Sequence, residues 1–375
     1  MKKLLFLIPN LAHGGAEKVL VNLVNNLDKT KYEVYVKTLF DTGVNKQYLH
    51  KDVHYIPGLK IQFRGNSHLF RLIPAKWLYK FFVKDHYDII VSYLEGIPAR
   101  ILYGCTSKST KRIAWVHIEF ESEKKLSLGF KNSKTALKAY ESFDKIVFVA
   151  KTVRKAFENI AGSECENGIV LYNTNETDLI TQKATEPISD LVFNKNTINI
   201  CSVGKIIETK GYDRLVHIHK RLTEEGYNNH HFYILGIGSQ KNELEKYLNN
   251  NNLSDTFTFL GYRDNPYKYV AACDLYVCSS LREGFSTSVT ESLIVGTPVV
   301  STCCSGAYEL LGDNNEYGIV TPNTEEGIYQ GIKQMLDNNG LRKNYAKQAA
   351  VRGQKFSTKK TVAAVQEMFG SLYND

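Results

Sequence analysis

The sequence predicts an α/β protein of two domains, each built around a mostly parallel sheet. At 375 residues the chain is longer than one hydrophobic core usually serves, so two domains of under about 200 residues are expected. Short apolar runs alternate with longer stretches of helical period along almost the whole chain, which is typical of βαβ units. A polar stretch without a clear period, 173–196, separates two such series and indicates a linker.

Each series can be read element by element. The first opens with a strand at 3–9, a turn containing Gly14 and Gly15 and a helix at 16–27, and its later strands are predicted at 33–38, 88–93, 112–117 and 145–150. The second opens with a strand at 197–204 and a helix after Gly211, and its later strands are predicted at 231–236, 256–261, 274–279 and 298–301. We place the boundary near 185–195, which gives domains 1–190 and 191–356, followed by a last helix within 357–375 that has no strand partner of its own.

Composition is that of an ordinary globular protein. Apolar residues make up 43% and charged residues 23%, and no segment reaches the roughly 20 apolar residues of a membrane-spanning helix. The apolar run 4–8 is too short for a signal peptide. Seven cysteines, an odd number, form no C-x-x-C pair, which favours a reduced compartment. We therefore expect a cytoplasmic protein.

The positive charge belongs to the first half of the chain. The net charge is +8; residues 1–185 hold 28 Lys and Arg against 18 Asp and Glu, whereas the remainder holds 19 against 21. A basic face attracts nucleic acid, anionic lipid or a phosphorylated acceptor, and charge alone does not choose among them. No nucleic-acid motif or aromatic stacking platform is found, so nucleic acid is the least favoured partner.

Three loops carry candidate binding residues. Gly14 and Gly15 lie between a strand and a helix start, where ligands approach the backbone and N–H groups attract anions; a plain tight turn is the alternative. Lys205 and Lys210 follow the strand that ends at Gly204, and two ammonium groups there suit a diphosphate, although they are also explained as solvated loop lysines.

The third loop, 280–291, is the most specific of them. Ser286 or Ser288 can cap a helix that runs to about residue 295, and the helix N-terminus favours a phosphate. Glu283 in the loop and Glu291 two turns along can accept hydrogen bonds from hydroxyl groups, or they are simply surface acids. Because the helix is otherwise uncharged, we expect Glu291 to have a buried partner.

At these residues the chain resembles the retaining glycosyltransferases of family 4, over nearly all of its length. Residues 14–17 look like the first donor-site loop of that family, residues 203–205 and 210–211 match its phosphate-binding stretch, and Glu283 with Glu291 matches its Glu-x7-Glu motif. Lys205 departs from the family, in which an arginine is commoner, and a lysine lacks the bidentate fork of arginine.

The resemblance implies a role for each residue. Glu283 would contact the hydroxyls of the transferred sugar and Glu291 the ribose, while Lys205 and Lys210 would bind the diphosphate. His117, at the end of a predicted strand, resembles the histidine that the family places beside the donor sugar; a structural histidine is the alternative. Glu119 and Glu121 are candidates for orienting an acceptor hydroxyl. The donor-binding set would be Gly14, Gly15, Gly204, Lys205, Lys210, Glu283, Gly284, Phe285, Ser286, Thr287 and Glu291, with His117, Glu283 and Lys210 as catalytic residues.

The resemblance also implies the fold and the reaction. The fold would be GT-B, two Rossmann-like domains facing an interdomain cleft, with an acceptor-side first domain, a donor-binding second domain and the last helix packing back onto the first. The enzyme would move a sugar from a nucleotide diphosphate donor, by family frequency a UDP-sugar, to a saccharide or lipid-linked acceptor of a bacterial surface polysaccharide. No Asp-x-Asp pair or other metal-binding cluster is evident, so we expect no metal and no cofactor.

A basic, aromatic-rich segment at 69–84 suggests contact with a membrane. No acidic residue occurs from 59 to 84, and a helix there would carry Lys76, Lys80 and Lys84 together with Trp77 and Phe81. Such a helix can lie on an anionic membrane, here the inner face of the cell membrane, or pack its apolar side against the sheet; the two interpretations are compatible.

Two other kinds of function stay open at this level. One is a non-catalytic GT-B partner subunit, which is disfavoured by the joint presence of Glu283, Glu291, Lys205, Lys210 and His117. The other is a GT-B nucleotide-sugar epimerase or phosphorylase. An NAD-dependent oxidoreductase needs G-x-G-x-x-G in a first βα turn, and neither domain has it.

Overall fold

The chain divides into two compact units in a computed structural model that describes residues 1–12, 14–61 and 65–373. The first unit comprises Met1–Asn175 together with Thr358–Asp375, and the second comprises Glu176–Ser357. Residue 13 of the predicted glycine loop, residues 62–64 of the acid-free stretch 59–84 and residues 374–375 lie outside the described residues.

In its described residues, the first unit contains seven strands with helices between them. Its strands are β1 (Lys2–Ile8), β2 (Tyr32–Thr38), β3 (Val53–Ile56), β4 (Ile89–Ser92), β5 (Lys111–Val116), β6 (Lys145–Phe148) and β7 (Gly168–Val170). Its helices are α1 (Gly15–Asn26), α2 (Asn66–Leu72), α3 (Ala75–Phe82), α4 (Ile97–Tyr103), α5 (Glu123–Leu126), α6 (Ser133–Glu141), α7 (Lys151–Ala161) and, from the end of the chain, α16 (Thr358–Ser371).

The second unit contains six strands. They are β8 (Ile198–Val203), β9 (His230–Leu235), β10 (Phe257–Gly261), β11 (Leu275–Cys278), β12 (Val299–Thr302) and β13 (Ile319–Thr321). Its helices are α8 (Thr177–Ala184), α9 (Tyr212–Glu224), α10 (Lys241–Asn250), α11 (Tyr267–Ala272), α12 (Thr287–Ile294), α13 (Ala307–Leu311), α14 (Glu325–Asp337) and α15 (Asn339–Gly353).

Both sheets are parallel throughout, which confirms the predicted fold class. The strand order is β3-β2-β1-β4-β5-β6-β7 in the first sheet and β10-β9-β8-β11-β12-β13 in the second. Every residue of β4, β11 and β12 is buried, as expected for central strands of parallel sheets covered on both faces. The direction of winding reverses between β1 and β4 and between β8 and β11, and ligands of such folds bind at the carboxyl ends beside these switch points.

The segment predicted as a linker is largely a docked part of the second unit. Residues 177–184 form α8, and Ile180 packs with Tyr267 of α11 and Ile294 of α12. Beyond α8, Tyr269 Oη donates a hydrogen bond of 2.6 Å to Asp190. The division between the units consequently falls at Asn175, about 15 residues before the predicted boundary, because α8 buries its few apolar side chains against α11 and α12.

The terminal helix α16 packs on the first unit. The Phe369 ring lies 6.4 Å from Phe6 of β1 and 5.7 Å from Tyr32 of β2, in edge-to-face contacts. Gln366 Oε1 accepts a 2.8 Å hydrogen bond from the backbone N–H of Asp28. These contacts explain its spacing of apolar residues, since one face of the helix covers the sheet.

Three strands escaped the sequence analysis, namely β3, β7 and β13. Each has only three or four residues and lies at the edge of its sheet. A short run at a sheet edge is hard to distinguish from a loop, whereas the other ten strands were predicted to within one or two residues. Four of those ten, β4, β6, β11 and β12, also have only four residues, but they lie inside their sheets, where burial on both faces gives a continuous apolar run.

Candidate functional site

The switch point of the second sheet brings Lys210 and Glu283 into direct contact. Lys210 ends the turn that follows β8, and Glu283 lies in the loop that follows β11. Lys210 Nζ lies 2.6 Å from Glu283 Oε1, and the Ser280 hydroxyl donates to the same oxygen at 2.7 Å. Two residues predicted from separate motifs are therefore one charged pair. Ser280, which hydrogen bonds the carboxylate of this pair, was not singled out from the sequence.

Backbone contacts hold these two loops together. The Leu281 N–H donates to the Thr209 carbonyl at 2.9 Å, and the Ser279 hydroxyl donates to the Lys210 carbonyl at 2.8 Å. Gly211 has a φ of +64°, and a Cβ there would lie only 2.3 Å from the Ser279 carbonyl oxygen. A glycine is thus required for the close approach that fixes the position of Lys210.

Burial and charge act in opposite directions on Lys210. Burial is the largest single influence and would lower its pKa, but the attraction of the Glu283 carboxylate and the hydrogen bond to it together raise the pKa above its ordinary value. The ammonium group is therefore charged at physiological pH. It is a preformed cation, held at the carboxyl end of β8 by its ion pair with Glu283.

Gly204 and Lys205 play different parts in this loop. A Cβ at Gly204 would lie 2.9 Å from Tyr212 Oη, so the missing side chain makes room for that hydroxyl, and it would be in ordinary contact with the Lys210 side chain at 3.8 Å. Lys205, in contrast, is exposed to solvent directly after Gly204. The structure places Lys205 next to the Lys210–Glu283 pair in sequence but outside its hydrogen bonds.

Helix α12 begins where the sequence predicts. The Ser286 side chain caps it by accepting from the Val289 N–H at 3.4 Å, so Ser286 rather than Ser288 is the N-cap. The ring of Phe285 is buried, and a Cβ at Gly306 would come within 2.7 Å of it. The peptide from Gly284 to Thr287 is thereby anchored at the positive end of the helix dipole, where backbone N–H groups can meet a phosphate or sugar oxygen.

Glu291 lies on the second turn of α12 and points toward α11. Its side chain is 8% exposed, and its Oε1 is 3.5 Å from Tyr267 Oη. The expected buried partner is therefore a tyrosine on α11, a residue the sequence analysis did not single out. Its aromatic neighbourhood suits the contact with a ribose that the resemblance implies.

In the first unit, His117 follows β5 directly and is buried. Its ring lies 4.9 Å from the ring of Tyr93, and its exposed fraction is 8%. Burial lowers the pKa of His117 to about 3, so the imidazole is neutral at pH 7. Its Nε2 is buried without a hydrogen-bond partner among the described residues. A neutral ring with one uncommitted nitrogen can hydrogen bond a hydroxyl but cannot supply a positive charge.

Glu95 is the residue at this edge that sequence reasoning missed. It lies three residues after β4, and its Oε2 accepts a 3.1 Å hydrogen bond from the backbone N–H of His117. Burial raises the pKa of the Glu95 carboxyl, and its hydrogen bonds from backbone N–H groups oppose that rise only in part. The signal available in the sequence was positional, since Glu95 follows β4 as His117 follows β5.

The other predicted residues of the first unit occupy the loops after β1 and β5. Gly14 caps α1 and Gly15 begins it. A Cβ at Gly14 would lie 2.0 Å from Glu17 Oε2, so a carboxylate already lies beside the helix N-terminus and an anionic ligand there would have to displace it. After β5, Glu119 is half-buried and Glu121 is exposed.

Helix α3 presents both faces that its sequence suggested. Leu78 and Phe82 are 2% and 3% exposed and pack inward, whereas Trp77 and Phe81 are 70% and 58% exposed. The three lysines of this segment are exposed to solvent: Lys76, Lys80 and Lys84. Packing against α4 and against Phe70 of α2 therefore buries one side of α3 and leaves two aromatic rings in solvent beside the lysines. The helix ends at Phe82, so Lys84 lies beyond it and not on its face as predicted.

Two searches of the described residues bear on metals and membranes. Within 1–12, 14–61 and 65–373, no group of three or more His, Cys, Asp or Glu side chains is placed to hold a metal ion. In the same residues, no helix combines the length and apolar character needed to cross a bilayer.

Comparison with known proteins finds relatives along the whole chain. Residues 13–178 match the model described as Glycosyltransferase Family 4, and residues 184–352 match the model described as Glycosyl transferases group 1. A relative from Campylobacter jejuni is 30% identical over 375 residues, covering 95% of this chain and 96% of the relative. That protein is named N-acetylgalactosamine-N,N'-diacetylbacillosaminyl-diphospho-undecaprenol 4-alpha-N-acetylgalactosaminyltransferase.

Solved structures agree on the fold. HepE from Anabaena, in complex with UDP, has a TM-score of 0.78 at 18% identity, covering 98% of this chain and 100% of that chain. WaaG, described as a glycosyltransferase involved in lipopolysaccharide biosynthesis, has a TM-score of 0.73 at 15% identity, covering 99% and 100%. At such identities the likeness concerns the fold.

Proposed function

The chain is a glycosyltransferase that belongs to family 4 and has the GT-B fold, and from that premise we propose that it transfers a sugar from a nucleoside diphosphate donor with retention of the anomeric configuration. The observation that carries the proposal is the Lys210–Glu283 pair at the switch point of the second sheet. It puts a cation and a hydroxyl-binding carboxylate 2.6 Å apart, which matches the two chemical groups on either side of the glycosidic bond of such a donor.

In the proposed reaction the second unit binds the leaving group. As the bond between the anomeric carbon and the phosphate oxygen breaks, negative charge develops on the diphosphate, and a preorganised cation stabilises it there. Lys210 and the N-terminus of α12 supply that positive charge, while Glu283 accepts hydrogen bonds from sugar hydroxyls. Glu291 beside Tyr267 holds the ribose.

The acceptor attacks from the face that the diphosphate leaves. A new bond forms between the acceptor oxygen and the anomeric carbon, and the acceptor proton passes to the departing phosphate oxygen. The neutral His117 supports the sugar ring through a hydrogen bond from its buried edge. Lysine and helix dipole provide the charge that a metal ion otherwise provides, so we expect transfer to continue in EDTA at an unchanged rate. Loss of activity in EDTA that Mg²⁺ or Mn²⁺ restores would contradict this.

The proposed donor is a UDP-sugar and the proposed acceptor is a lipid-linked saccharide of a bacterial surface polysaccharide. The Campylobacter relative bears the name of an N-acetylgalactosaminyltransferase acting on a diphospho-undecaprenol saccharide, and HepE was solved with UDP. Both names support, by analogy, a hexosyl or N-acetylhexosaminyl transfer.

A lipid-linked acceptor also gives a role to α3 in the proposal. Trp77 and Phe81 are exposed, beside three exposed lysines, in a segment without acidic residues between 59 and 84. Aromatic rings favour the headgroup region and lysines favour anionic lipid. We assign this face to the anionic inner surface of the cell membrane.

The test is a screen of nucleotide sugars, with and without acceptor. The purified chain is incubated with each donor, and the nucleotide released is measured before and after addition of an undecaprenyl-diphosphate saccharide. Release that depends on the acceptor, with a lengthened saccharide in mass spectrometry, is the expected result. Conversion of the donor without acceptor would indicate an epimerase, and no turnover with any donor would indicate a non-catalytic partner; either result would contradict the proposal.

A further inference from the structure

The carboxylate of Glu95 continues the ladder between β4 and β5 past the last backbone pair. At the end of β4, Ser92 pairs with Ala114, and Glu95 keeps the same offset of 22 residues to His117. Its Oε2 accepts the His117 backbone N–H at 3.1 Å. Beyond the last backbone pair, a side-chain oxygen of Glu95 thus takes the place of a backbone acceptor for β5.

The backbone of β4 does not itself supply this acceptor. The strand ends at Ser92, and the chain turns away at Gly96, which has a φ of +84° and caps α4. A strand that outlasts its neighbour leaves a buried N–H in need of a partner. Glu95 accepts this N–H, and the N–H belongs to His117, the residue after β5 whose side chain is proposed to meet the substrate.

The ring of His117 depends on its backbone for its direction. Its described ring contact is with Tyr93, at 4.9 Å, and its Nε2 has no hydrogen-bond partner among the described residues. The residue is more than nine-tenths buried, so few rotamers fit once the backbone is fixed. Small movements of the backbone would therefore move Nε2 directly.

We propose that Glu95 is a positioning residue for His117: its carboxylate fixes the end of β5, and with it the direction of the imidazole that is proposed to meet the transferred sugar. This inference rests on the proposed role of His117 in transfer. Glu95 also stands beside the switch point between β1 and β4, where ligands of parallel sheets bind. In this role Glu95 contacts no reacting atom and acts only through His117.

Two substitutions of Glu95 distinguish the effect of its hydrogen-bonding oxygen from the effect of its charge. Glu95→Ala removes the acceptor, and we expect kcat to fall on the order of 10- to 100-fold with little change in the donor KM, because displacing a reacting group by about 1 Å has effects of this size. Glu95→Gln keeps an oxygen of the same reach, and kcat should return to within about 3-fold of wild type.

A double-mutant cycle tests the route of the effect. In a His117→Ala background, Glu95→Ala should lower kcat by less than about 2-fold, since both residues act on one group. An equal loss in both backgrounds overturns the proposal, because Glu95 would then act independently of His117. Wild-type kcat in Glu95→Ala overturns it as well.

Controls exclude a general loss of structure. Glu141→Ala, an exposed position at the end of α6 in the same unit, should keep the wild-type kcat. In ¹³C-histidine spectra the ring resonance of His117 should shift in Glu95→Ala and stay in Glu95→Gln; an unmoved resonance in both overturns the proposal. If the proposed function fails, wild type itself transfers no sugar, whereas failure of this inference alone leaves an active wild type and an impaired His117→Ala.

Discussion

The carboxyl ends of the two sheets differ in whether a buried polar group there keeps its charge. In the second unit the pKa of Lys210 is raised in spite of burial, because Glu283 lies 2.6 Å away. In the first unit burial lowers the pKa of His117 to about 3, which keeps its imidazole neutral at pH 7, and burial also raises the pKa of Glu95. Burial acts on both edges alike, and the presence of a counter-charge within hydrogen-bonding distance decides which group keeps its charge.

This difference suits a division of labour. A diphosphate leaving group carries the negative charge of the reaction, and the charged edge of the second unit matches it. A sugar ring and an acceptor hydroxyl are uncharged in the ground state, and the neutral edge of the first unit can hydrogen bond them without attracting bulk ions.

The largest expected effect is that of removing the cation. Lys210→Ala should lower kcat by on the order of 100-fold, because one preorganised charge contact to the leaving group is lost. The kcat of Lys210→Arg should lie between those of wild type and Lys210→Ala. As a control, Lys246→Ala, which replaces an exposed lysine on α10, should be fully active. Steady-state kinetics of nucleotide release decides, and a wild-type rate in Lys210→Ala would remove this residue from the mechanism.

The neutral state of the buried His117 should affect how the free energy of unfolding depends on pH. The pKa of His117 is about 3 when folded and about 6.5 when unfolded, so the unfolded chain binds more protons between these values and acid weakens the fold. His117→Gln removes this contribution, and its free energy of unfolding should fall less steeply with acidification, by up to about 1.4 kcal/mol per pH unit.

Denaturant unfolding between pH 7 and 4.5 measures the slope. His50→Gln, an exposed position of the same unit, should keep the wild-type slope, since its ring is solvated in both states. The second unit also holds His219 and His230, with pKa values lowered by burial to about 3 and 4, so its own acid sensitivity remains in every variant. Identical slopes for His117→Gln and wild type would show that His117 is protonated in the fold.

Removing one lysine from the membrane-binding face proposed on α3 should have a smaller effect. Lys80→Ala should reduce binding to phosphatidylglycerol-containing vesicles about 5-fold, because each lysine near an anionic surface contributes about 1 kcal/mol. Lys138→Ala, exposed on α6 outside the patch, is the matched control. Co-sedimentation that does not depend on anionic lipid content would argue against the assignment.

Lys205 should show the smallest effect. It is exposed after Gly204 and lies outside the hydrogen bonds of the Lys210–Glu283 pair, so Lys205→Ala should raise the donor KM by about 3-fold or less and leave kcat nearly unchanged. Lys205→Arg, which supplies the fork that the family more often has, should lower KM. A loss as large as that of Lys210→Ala would show that a bound donor recruits Lys205.

The sequence was most informative where a motif coincided with a strand end. Lys210 and Glu283 follow β8 and β11, which are neighbours in the sheet, so parallel topology alone brings their loops to one edge. Their direct ion pair was not predicted, because spacing does not specify which atoms meet across two loops. Glu95 was missed for a related reason: its partner is a backbone N–H, whose position depends on the β4–β5 register rather than on any motif.

The boundary between the units shows another limit. Helix α8 has few apolar residues and no clear period, so its sequence resembles a linker, and only its contact with α11 and α12 makes it part of the second unit. Tertiary packing thus decides a segment whose local pattern is weak.

The central claim is that Lys210 of the second unit recognises a diphosphate. Calorimetric titration of wild type and Lys210→Ala with nucleoside mono- and diphosphates, beginning with UMP and UDP, tests it most directly. The account predicts that wild type binds the diphosphate more tightly than the monophosphate, and that Lys210→Ala loses this preference while its affinity for the monophosphate changes little. An unchanged preference in Lys210→Ala would contradict it.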